Sequence, residues 1–346
     1  MSELVSVVIA NYNGRDLLGE CLESLRQQTY SAYEVIVVDN GSTDGSAQWL
    51  GEHFPEVKLV RLPCNRGFAG GSNAGISIAR GELIALLNND TVVAPGWLEE
   101  MVRVLADQSE VGMVAAKLLF WNQPNVINST GIAIDRVGIA WDRRGGQLEQ
   151  PDESVVEVFG PCGGAALYRR TMLDDVGAFD EDFFCYLEDV DLAWRARLAG
   201  WRCLYAPKAR VMHHHSATSV ENSPFKRYHL GRNKVWMIAK NYPWPEILLY
   251  LPAILIYDVA TVLLTPLFDR RSVMPQVRMA SLTGRLAGLA GLAGALAKRR
   301  AIQRRRRVPP WRVLAAMENI SPPWSIYQRY AHLVRRNNLD NGGSFK

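Results

Sequence analysis

Four short apolar runs at the start of the chain restrict its fold more than anything else in it. "LVSVVIA" (4–10), "YEVIVVD" (33–39), "VKLVRL" (57–62) and "ELIALLN" (82–88) are rich in β-branched residues and almost continuously apolar. Between them lie "GRDLLGECLESLRQQ", which has helical spacing, a helix from about Ala47 after the turn-rich "NGSTDGS", and "GGSNAGISIARG" (70–81), which opens a helix. Strands that are apolar on both faces and alternate with helices of about ten residues predict a parallel sheet covered on both sides. Such sheets bind their ligands at the carboxyl ends of the strands. Asn11, Asp39, Asn65 and Asp90 each fall just past a strand end, so this pattern delivers four polar groups to one edge.

From about 110 to 170 the rhythm becomes less regular. "VGMVAAKLLF", "GIAIDRVGIAW" and "VEVFGPCGGAALYRR" predict strands with glycine-rich turns, mixed or antiparallel in direction. "FDEDFFCYLEDVDLAWRARLAG" starts as a loop and becomes a helix from Leu187 or Glu188 to Gly200, and "RCLYAPKARVMHHH" is a further strand.

Near residue 240 the chain changes in kind. Residues 241–346 hold 16 of the 39 Lys and Arg but only 5 of the 35 Asp and Glu, a net of +11 against −7 before them. This divides the chain into an acidic part, 1–240, and a helical, basic part, 241–346. The apolar stretch 247–268 is just long enough to span a bilayer, though Asp258 interrupts it and Pro252 and Pro266 are expected to break it. "LAGLAGLAGALA" (286–297) is too short to span, and "KRRAIQRRRR" (298–307) follows it directly. Apolar helix beside a basic cluster predicts a region lying on, or shallowly in, an anionic membrane surface. A pair of buried helices with a solvated tail is the alternative. The basic run lacks interleaved aromatics, which argues against nucleic acid as the partner.

The five cysteines are scattered and form no C-x-x-C pair, which fits reduced thiols in a cytoplasmic setting. The N-terminal "MSELVSVVIANYNG" has neither a basic n-region nor an h-region, so no secretory signal is expected there.

Several stretches can carry chemistry. In "VDNGSTDGS", Asp39 can accept from a base or ribose, although an Asx turn would use the same residues. "NRGFAGGSNAG" (65–75) can bring backbone N–H groups to a diphosphate. It follows the third strand and lacks G-x-G-x-x-G spacing, which argues against a nicotinamide dinucleotide enzyme. "LEDVDLAWR" sets Glu188, Asp189 and Asp191 at a helix start. The macrodipole would favour one or two acids there, and three provide a candidate general base. "MHHHSATS" holds His213, His214 and His215, and imidazole beside a carboxylate suits a Mn²⁺-like cation.

Taken in order, "VSVVIANYNG", "VVDNGSTDGS", "NRGFAGGSNAG", "LLNND", "GGAALYRR", "FDEDFFCYLEDVDLAWR", "HHHSATS" and the pair Arg232–Asn233 resemble family 2 glycosyltransferases of the GT-A fold. Within them the chain is most similar to the rhamnosyltransferase-like branch of cell-surface polysaccharide synthesis. The resemblance covers roughly residues 4–240. It implies a nucleotide-sugar pocket shaped by Asn11, Asn13, Asp39, Asn65, Gly67, Asn73 and Asn88. It also implies a divalent cation, Mn²⁺ or Mg²⁺, on Asp90, with His213 as the best-aligned histidine and His214 and His215 as alternatives. In the aspartate-rich motif of these enzymes the first acid is here replaced by Asn88. Asp189 would be the base, with Glu188 and Asp191 ordering the site.

The implied activity is inverting transfer of a sugar from a dTDP-rhamnose or UDP-sugar donor to a lipid-linked glycan at the cytoplasmic membrane face. One base, one cation and in-line displacement favour inversion. Hydrolysis would instead need two carboxylates flanking the bond. A non-catalytic sugar-nucleotide-binding or scaffold subunit is the competing reading.

Overall fold

The computed structural model describes residues 3–106, 108–150, 154–214, 223–268 and 275–320. The chain opens β1 (Val5–Asn11), α1 (Arg15–Arg26), β2 (Tyr33–Asp39), α2 (Ser46–His53), β3 (Lys58–Arg61), α3 (Gly67–Ile78) and β4 (Leu83–Leu87). These four strands are parallel in the order β4-β1-β2-β3. Their alternating side chains feed two cores. Val8, Ile36, Val38, Ile84 and Leu86 pack on one face, and Val7, Ile9, Val37, Ala85 and Leu87 on the other. Burying each such side chain stabilises the fold by about 1.5–3 kcal/mol, which is why both faces must be covered.

The sheet then turns mixed. After β5 (Thr91–Val93) and α4 (Trp97–Leu105) come β6 (Val111–Phe120), β7 (Gln123–Ser129), β8 (Ile132–Ile134), β9 (Ala140–Asp142), β10 (Val156–Glu157), β11 (Ala165–Arg169) and α5 (Arg170–Val176). A single 3₁₀ turn, Glu181–Phe183, leads to α6 (Glu188–Leu198) and β12 (Arg202–His213). β11 lies antiparallel between β4 and β6, whereas β12 runs parallel to β6. β8 and β9 form a separate two-stranded ribbon.

The remaining helices are α7 (Pro224–Asn241), α8 (Trp244–Phe268), α9 (Pro275–Ala290), α10 (Leu292–Arg304) and α11 (Pro310–Ala315). Residue 240, where the charge balance turns over, is thus the penultimate residue of α7. Three expectations are corrected here. α3 begins at Gly67, not Gly70, because the Asn65 side chain accepts from the Gly67 N–H (2.8 Å) and organises the first turn. Pro252 and Pro266 do not break α8, which runs through both. A proline withholds one helical donor, and the leucine- and isoleucine-rich flanks keep the helix intact on either side. The small-residue segment 286–297 is not one helix. It bends by 59° between α9 and α10 at Gly291.

Glycines in that segment have a packing role. A Cβ on Gly284 would lie 2.2 Å from the Tyr228 carbonyl oxygen, and one on Gly288 2.9 Å from that of Arg232. These two glycines, one helical turn apart, let α9 press its backbone against α7. Asp258 of α8 faces the same bundle and accepts from Lys234 Nζ at 3.0 Å and Arg285 Nε at 3.1 Å. On its other side α8 exposes Leu248, Leu249, Leu255, Ile256, Val259 and Leu263, while Ile254 and Tyr257 are buried.

Candidate active site

β1, β2 and β4 end side by side, and Asn11 and Asp39 are paired in the β1–β2 register. Asn11 is buried. Its Nδ2 donates to Ser46 Oγ (3.1 Å), and its Oδ1 accepts from Asn89 Nδ2 (2.7 Å). Asp39, 7% exposed, accepts from the Ser42 N–H at 3.2 Å, an Asx turn that holds its carboxylate at the strand end. Asn13 adopts a positive φ of 49° and accepts from the Thr43 N–H at 2.8 Å, which closes one side of the same loop. The pocket-shaping loops are themselves tied together by Asn40, which the sequence reading did not single out. Its side chain accepts from the Arg66 N–H (2.9 Å) and donates to Asn65 Oδ1 (3.1 Å) and the Gly67 carbonyl (2.9 Å). Gly67 has φ 71°, and a Cβ there would lie 2.2 Å from the Phe184 carbonyl oxygen. Asn73 points elsewhere: its amide exchanges two hydrogen bonds with the Phe179 backbone, at 2.8 and 3.0 Å.

A continuous hydrogen-bonded path runs from this edge to the acids of α6. Asn89 holds Asn11, and next to it the Asn88 N–H donates to the Gly164 carbonyl at 3.0 Å. The adjacent Gly163 N–H donates to Asp189 Oδ2 at 3.0 Å, and the Val190 N–H donates to Asp189 Oδ1 at 2.8 Å. Burial, reinforced by the nearby Asp142 carboxylate and opposed by these backbone donors, pushes the Asp189 carboxyl up to about 6. Glu188 is raised well above the usual carboxylate range by burial and by its charged neighbours Asp189 and Asp191, and its Oε2 has no hydrogen-bond partner.

Asp191 stands apart from them. Burial alone would raise it, but Lys240 and Arg195 hold it below the ordinary value, with Arg195 Nε at 2.9 Å, Lys240 Nζ at 3.0 Å and Asn241 Nδ2 at 2.8 Å. Its carboxylate therefore anchors α6 to α7. Lys240 also pairs with Asp180, which Lys298 of α10 bonds from the other side.

The segment before α6 is held in an unfavourable backbone. Phe184, Tyr186 and Leu187 have φ of 64°, 68° and 67°. A side chain with a Cβ pays roughly 1–2 kcal/mol for such a left-handed conformation. Asn233 supports the loop: its Nδ2 lies 3.0, 2.9 and 2.7 Å from the carbonyls of Phe183, Cys185 and Tyr186. Arg232 donates to the Asp182 and Phe183 carbonyls at 3.0 and 2.8 Å. The Arg232–Asn233 pair is therefore a clamp on the loop that presents Asp189.

At the other end of the path, β5 pairs with β12 and sets His213 opposite Thr91. Asp90 and His213 are both buried, with Nε2 3.2 Å from Asp90 Oδ1. His213 Nδ1 lies 2.8 Å from Asn128 Oδ1. That amide oxygen can only accept, so Nδ1 carries a hydrogen and the ring is turned with Nε2 toward Asp90. One carboxylate and one oriented imidazole suit a divalent cation that draws its remaining ligands from a diphosphate. Among the described residues no third His, Cys, Asp or Glu joins them. His214 instead stacks on Trp121 (4.3 Å between ring centroids) and lies 3.4 Å from Glu20, and His215 is outside the described residues.

A mixed sheet with polar residues gathered at its parallel strand ends, linked by hydrogen bonds to acids on a later helix, is the layout of GT-A nucleotide-sugar transferases. The description "Glycosyl transferase family 2" matches residues 6–177. An uncharacterised glycosyltransferase of Bacillus subtilis, YwdF, is 30% identical over 60% of this chain and 73% of its own length. The N-acetylglucosaminyl-diphospho-decaprenol L-rhamnosyltransferase of Mycobacterium tuberculosis is 28% identical over 62% of this chain and 77% of its own. The O-antigen biosynthesis protein RfbC of Myxococcus xanthus is 32% identical over 62% of this chain, which spans only 17% of RfbC. A Sinorhizobium fredii protein is also 32% identical, and the chain spans 27% of it. Among solved structures, the mannosyltransferase PcManGT of Pyrobaculum calidifontis, in complex with GDP-Man and Mn²⁺, aligns with a TM-score of 0.52 and 22% identity, over 99% of this chain and 89% of that one. GalNAc-T7 with UDP, GalNAc and Mn²⁺ aligns at 0.61 and 16%, over 89% and 58%. The chain belongs to glycosyltransferase family 2, has the GT-A fold, and is a glycosyltransferase.

Replacing Asp191 by Ala leaves the buried Arg195 without its carboxylate and Lys240 with Asp180 alone. The expected cost is about 3–5 kcal/mol of stability, read as a large loss in denaturant or thermal unfolding midpoint. A variant that melts like the parent would show that the cluster does not anchor α6.

Proposed function

We propose that the enzyme transfers a hexose, rhamnose in the first instance, with inversion, from a nucleoside-diphosphate donor to a lipid-linked glycan acceptor. The observation that carries this reading is the unbroken path Asn11–Asn89, Asn88–Gly164, Gly163–Asp189, which ties the nucleotide edge of the sheet to a buried carboxylate. Asp39, with Asn11 and Asn13, holds the nucleoside. Asn65, Gly67 and Asn88 line the side toward the sugar and diphosphate, and Asn73 acts by fixing the Phe179 loop. Asp90 and His213 would hold a divalent cation, which when bound supplies positive charge to the departing diphosphate.

Asp189 takes the proton of an acceptor hydroxyl. That oxygen forms a bond to the anomeric carbon, the bond from this carbon to the diphosphate oxygen breaks, and the nucleoside diphosphate leaves with the electron pair. Attack from the side opposite the leaving group inverts the centre. Glu188, whose carboxyl burial pushes well above the usual carboxylate range, orders the site beside the base. Support for the donor and acceptor classes comes from the GDP-Man and UDP complexes of the structural neighbours and from the name of the Mycobacterium relative.

The C-terminal helices fit delivery of such an acceptor at the cytoplasmic membrane surface. Trp244–Leu263 is long and apolar enough to cross a bilayer. Yet α8 is apolar toward the outside on one face only, and its inner face carries Asp258 paired with two cations. That one-sidedness favours lying in the interface over spanning. Arg300, Arg304, Arg305 and Arg306 are exposed on and beyond α10, where anionic headgroups can meet them, whereas Lys298, Arg299 and Arg307 bond to the protein itself.

Asp189→Asn should lower kcat by about 10²- to 10⁴-fold while nucleotide binding persists. Unchanged turnover would instead favour a binding subunit. Because Asp189 must be ionised to accept a proton, kcat/KM should rise as pH increases through about 6 and be lost below it. A flat profile across that range would sink the assignment. The double variant Leu255→Glu, Ile256→Glu should stop co-flotation with vesicles containing anionic lipid. Undiminished flotation would remove α8 as the membrane face.

A further inference from the structure

The strained loop before Asp189 has a consequence beyond supporting the base. Glycine or asparagine would take the left-handed positions at lower cost, yet aromatic residues stand at two of them, Phe184 and Tyr186. Both rings meet Phe225 in the first turn of α7, at centroid separations of 6.2 and 6.3 Å. His229, one turn further along, lies 4.2 Å from Phe225 and 5.7 Å from Phe184, and its Nδ1 is bonded to the Phe225 carbonyl at 2.9 Å. The cluster is not a closed core, because Phe225 remains 47% exposed. It stands immediately before Glu188 and Asp189 in the chain. A further ring, Phe68, would lie 3.2 Å from a Cβ placed on Gly163, whose N–H bonds the Asp189 carboxylate. α7 itself is clamped to α9, next to the exposed apolar face of α8.

We propose that the Phe184–Tyr186–Phe225–His229 cluster is the acceptor subsite and takes a pyranose ring against its aromatic faces. The C–H bonds on one face of a pyranose carry partial positive charge and match the negative face of an aromatic ring. Hydroxyls at the sugar's edge then remain free to reach Asp189. A rigid ring presented by a constrained loop gives orientation at low entropic cost, which is what a base acting on one hydroxyl among several requires. This rests on the transfer reading above. The occupant is a sugar and not a lipid tail, because the cluster adjoins the base, where the reacting hydroxyl must sit.

The test uses the full-length enzyme and the Phe225→Ala and Phe225→Trp variants. In steady-state transfer, Phe225→Ala should raise the acceptor KM at least tenfold while the donor KM moves less than twofold. Phe225→Trp, which keeps an aromatic face, should bring the acceptor KM back to within about threefold. An unchanged acceptor KM, or an equal rise in both constants, overturns the proposal. Independently of turnover, saturation-transfer NMR should show magnetisation passing from aromatic protons to a panel of methyl pyranosides in the parent protein, and its loss in Phe225→Ala. Equal transfer in both proteins, or none in the parent, also overturns it. Because this second measurement needs no donor, a protein that bound pyranosides but transferred nothing would fault the transfer reading and leave the subsite standing.

Discussion

Three carboxyl groups in the first turn of one buried helix cannot all be ionised in the same surroundings, and the structure depends on how α6 resolves that conflict. Desolvation disfavours every charge, and each acid repels the next. Asp191 is compensated by Arg195, Lys240 and Asn241 and stays charged. Glu188 has no cation partner, and burial with its acidic neighbours pushes its carboxyl well above the usual carboxylate range. Asp189 lies between these extremes, supported by backbone N–H groups, and its carboxyl is pushed up to about 6. Within one helical turn, differences in partners alone separate three similar side chains.

The anchor explains how the C-terminal helices bear on the acids of α6. Lys240 of α7 and Lys298 of α10 converge on Asp180, whose carboxyl burial alone would raise but which they hold down to about 2. Asn233 and Arg232 of α7 clamp the loop between Asp182 and Tyr186. α7 is in turn pressed against α9 through Gly284 and Gly288. Asp189 is therefore supported by the same helical bundle in which α8 exposes an apolar face to the outside.

Much of this was legible in the chain. Runs such as "YEVIVVD" and "VGMVAAKLLF" become β2 and β6 with the same limits, because apolar continuity and β-branching are local properties. Asn11, Asp39 and Asp90 could be set at strand ends and Asp189 at a helix start from local pattern alone, as the structure has them, whereas His213 was separated from its neighbours only by the family resemblance. What escaped was whatever depends on distant partners. Asn40 and Asn128 are ordinary asparagines until the fold brings two backbone groups and an amide oxygen to the first and an imidazole to the second; Asn233 was named with Arg232, but its hold on three carbonyls shows only in the fold. Asp191 was set apart from Asp189 only by the resemblance, since nothing local signals Lys240. The basic run 298–307 was read as a cluster facing anionic lipid, yet Arg299 is buried, donates to the Ala239 carbonyl at 2.6 Å and lies over Trp244. The glycines of 284–291 read as small apolar filler, and only the approach of α7 shows why side chains are absent there.

The central claim is that the strand-end pocket and the buried carboxylate form one site around a nucleoside diphosphate. Crystals grown with UDP or dTDP and Mn²⁺, measured at the manganese absorption edge, test it most directly. The account predicts a single strong anomalous peak touching both Asp90 and His213, with the diphosphate on its far side and the nucleoside against Asp39. Nucleotide bound with its phosphates away from Asp90, or manganese ordered anywhere but between Asp90 and His213, would contradict it.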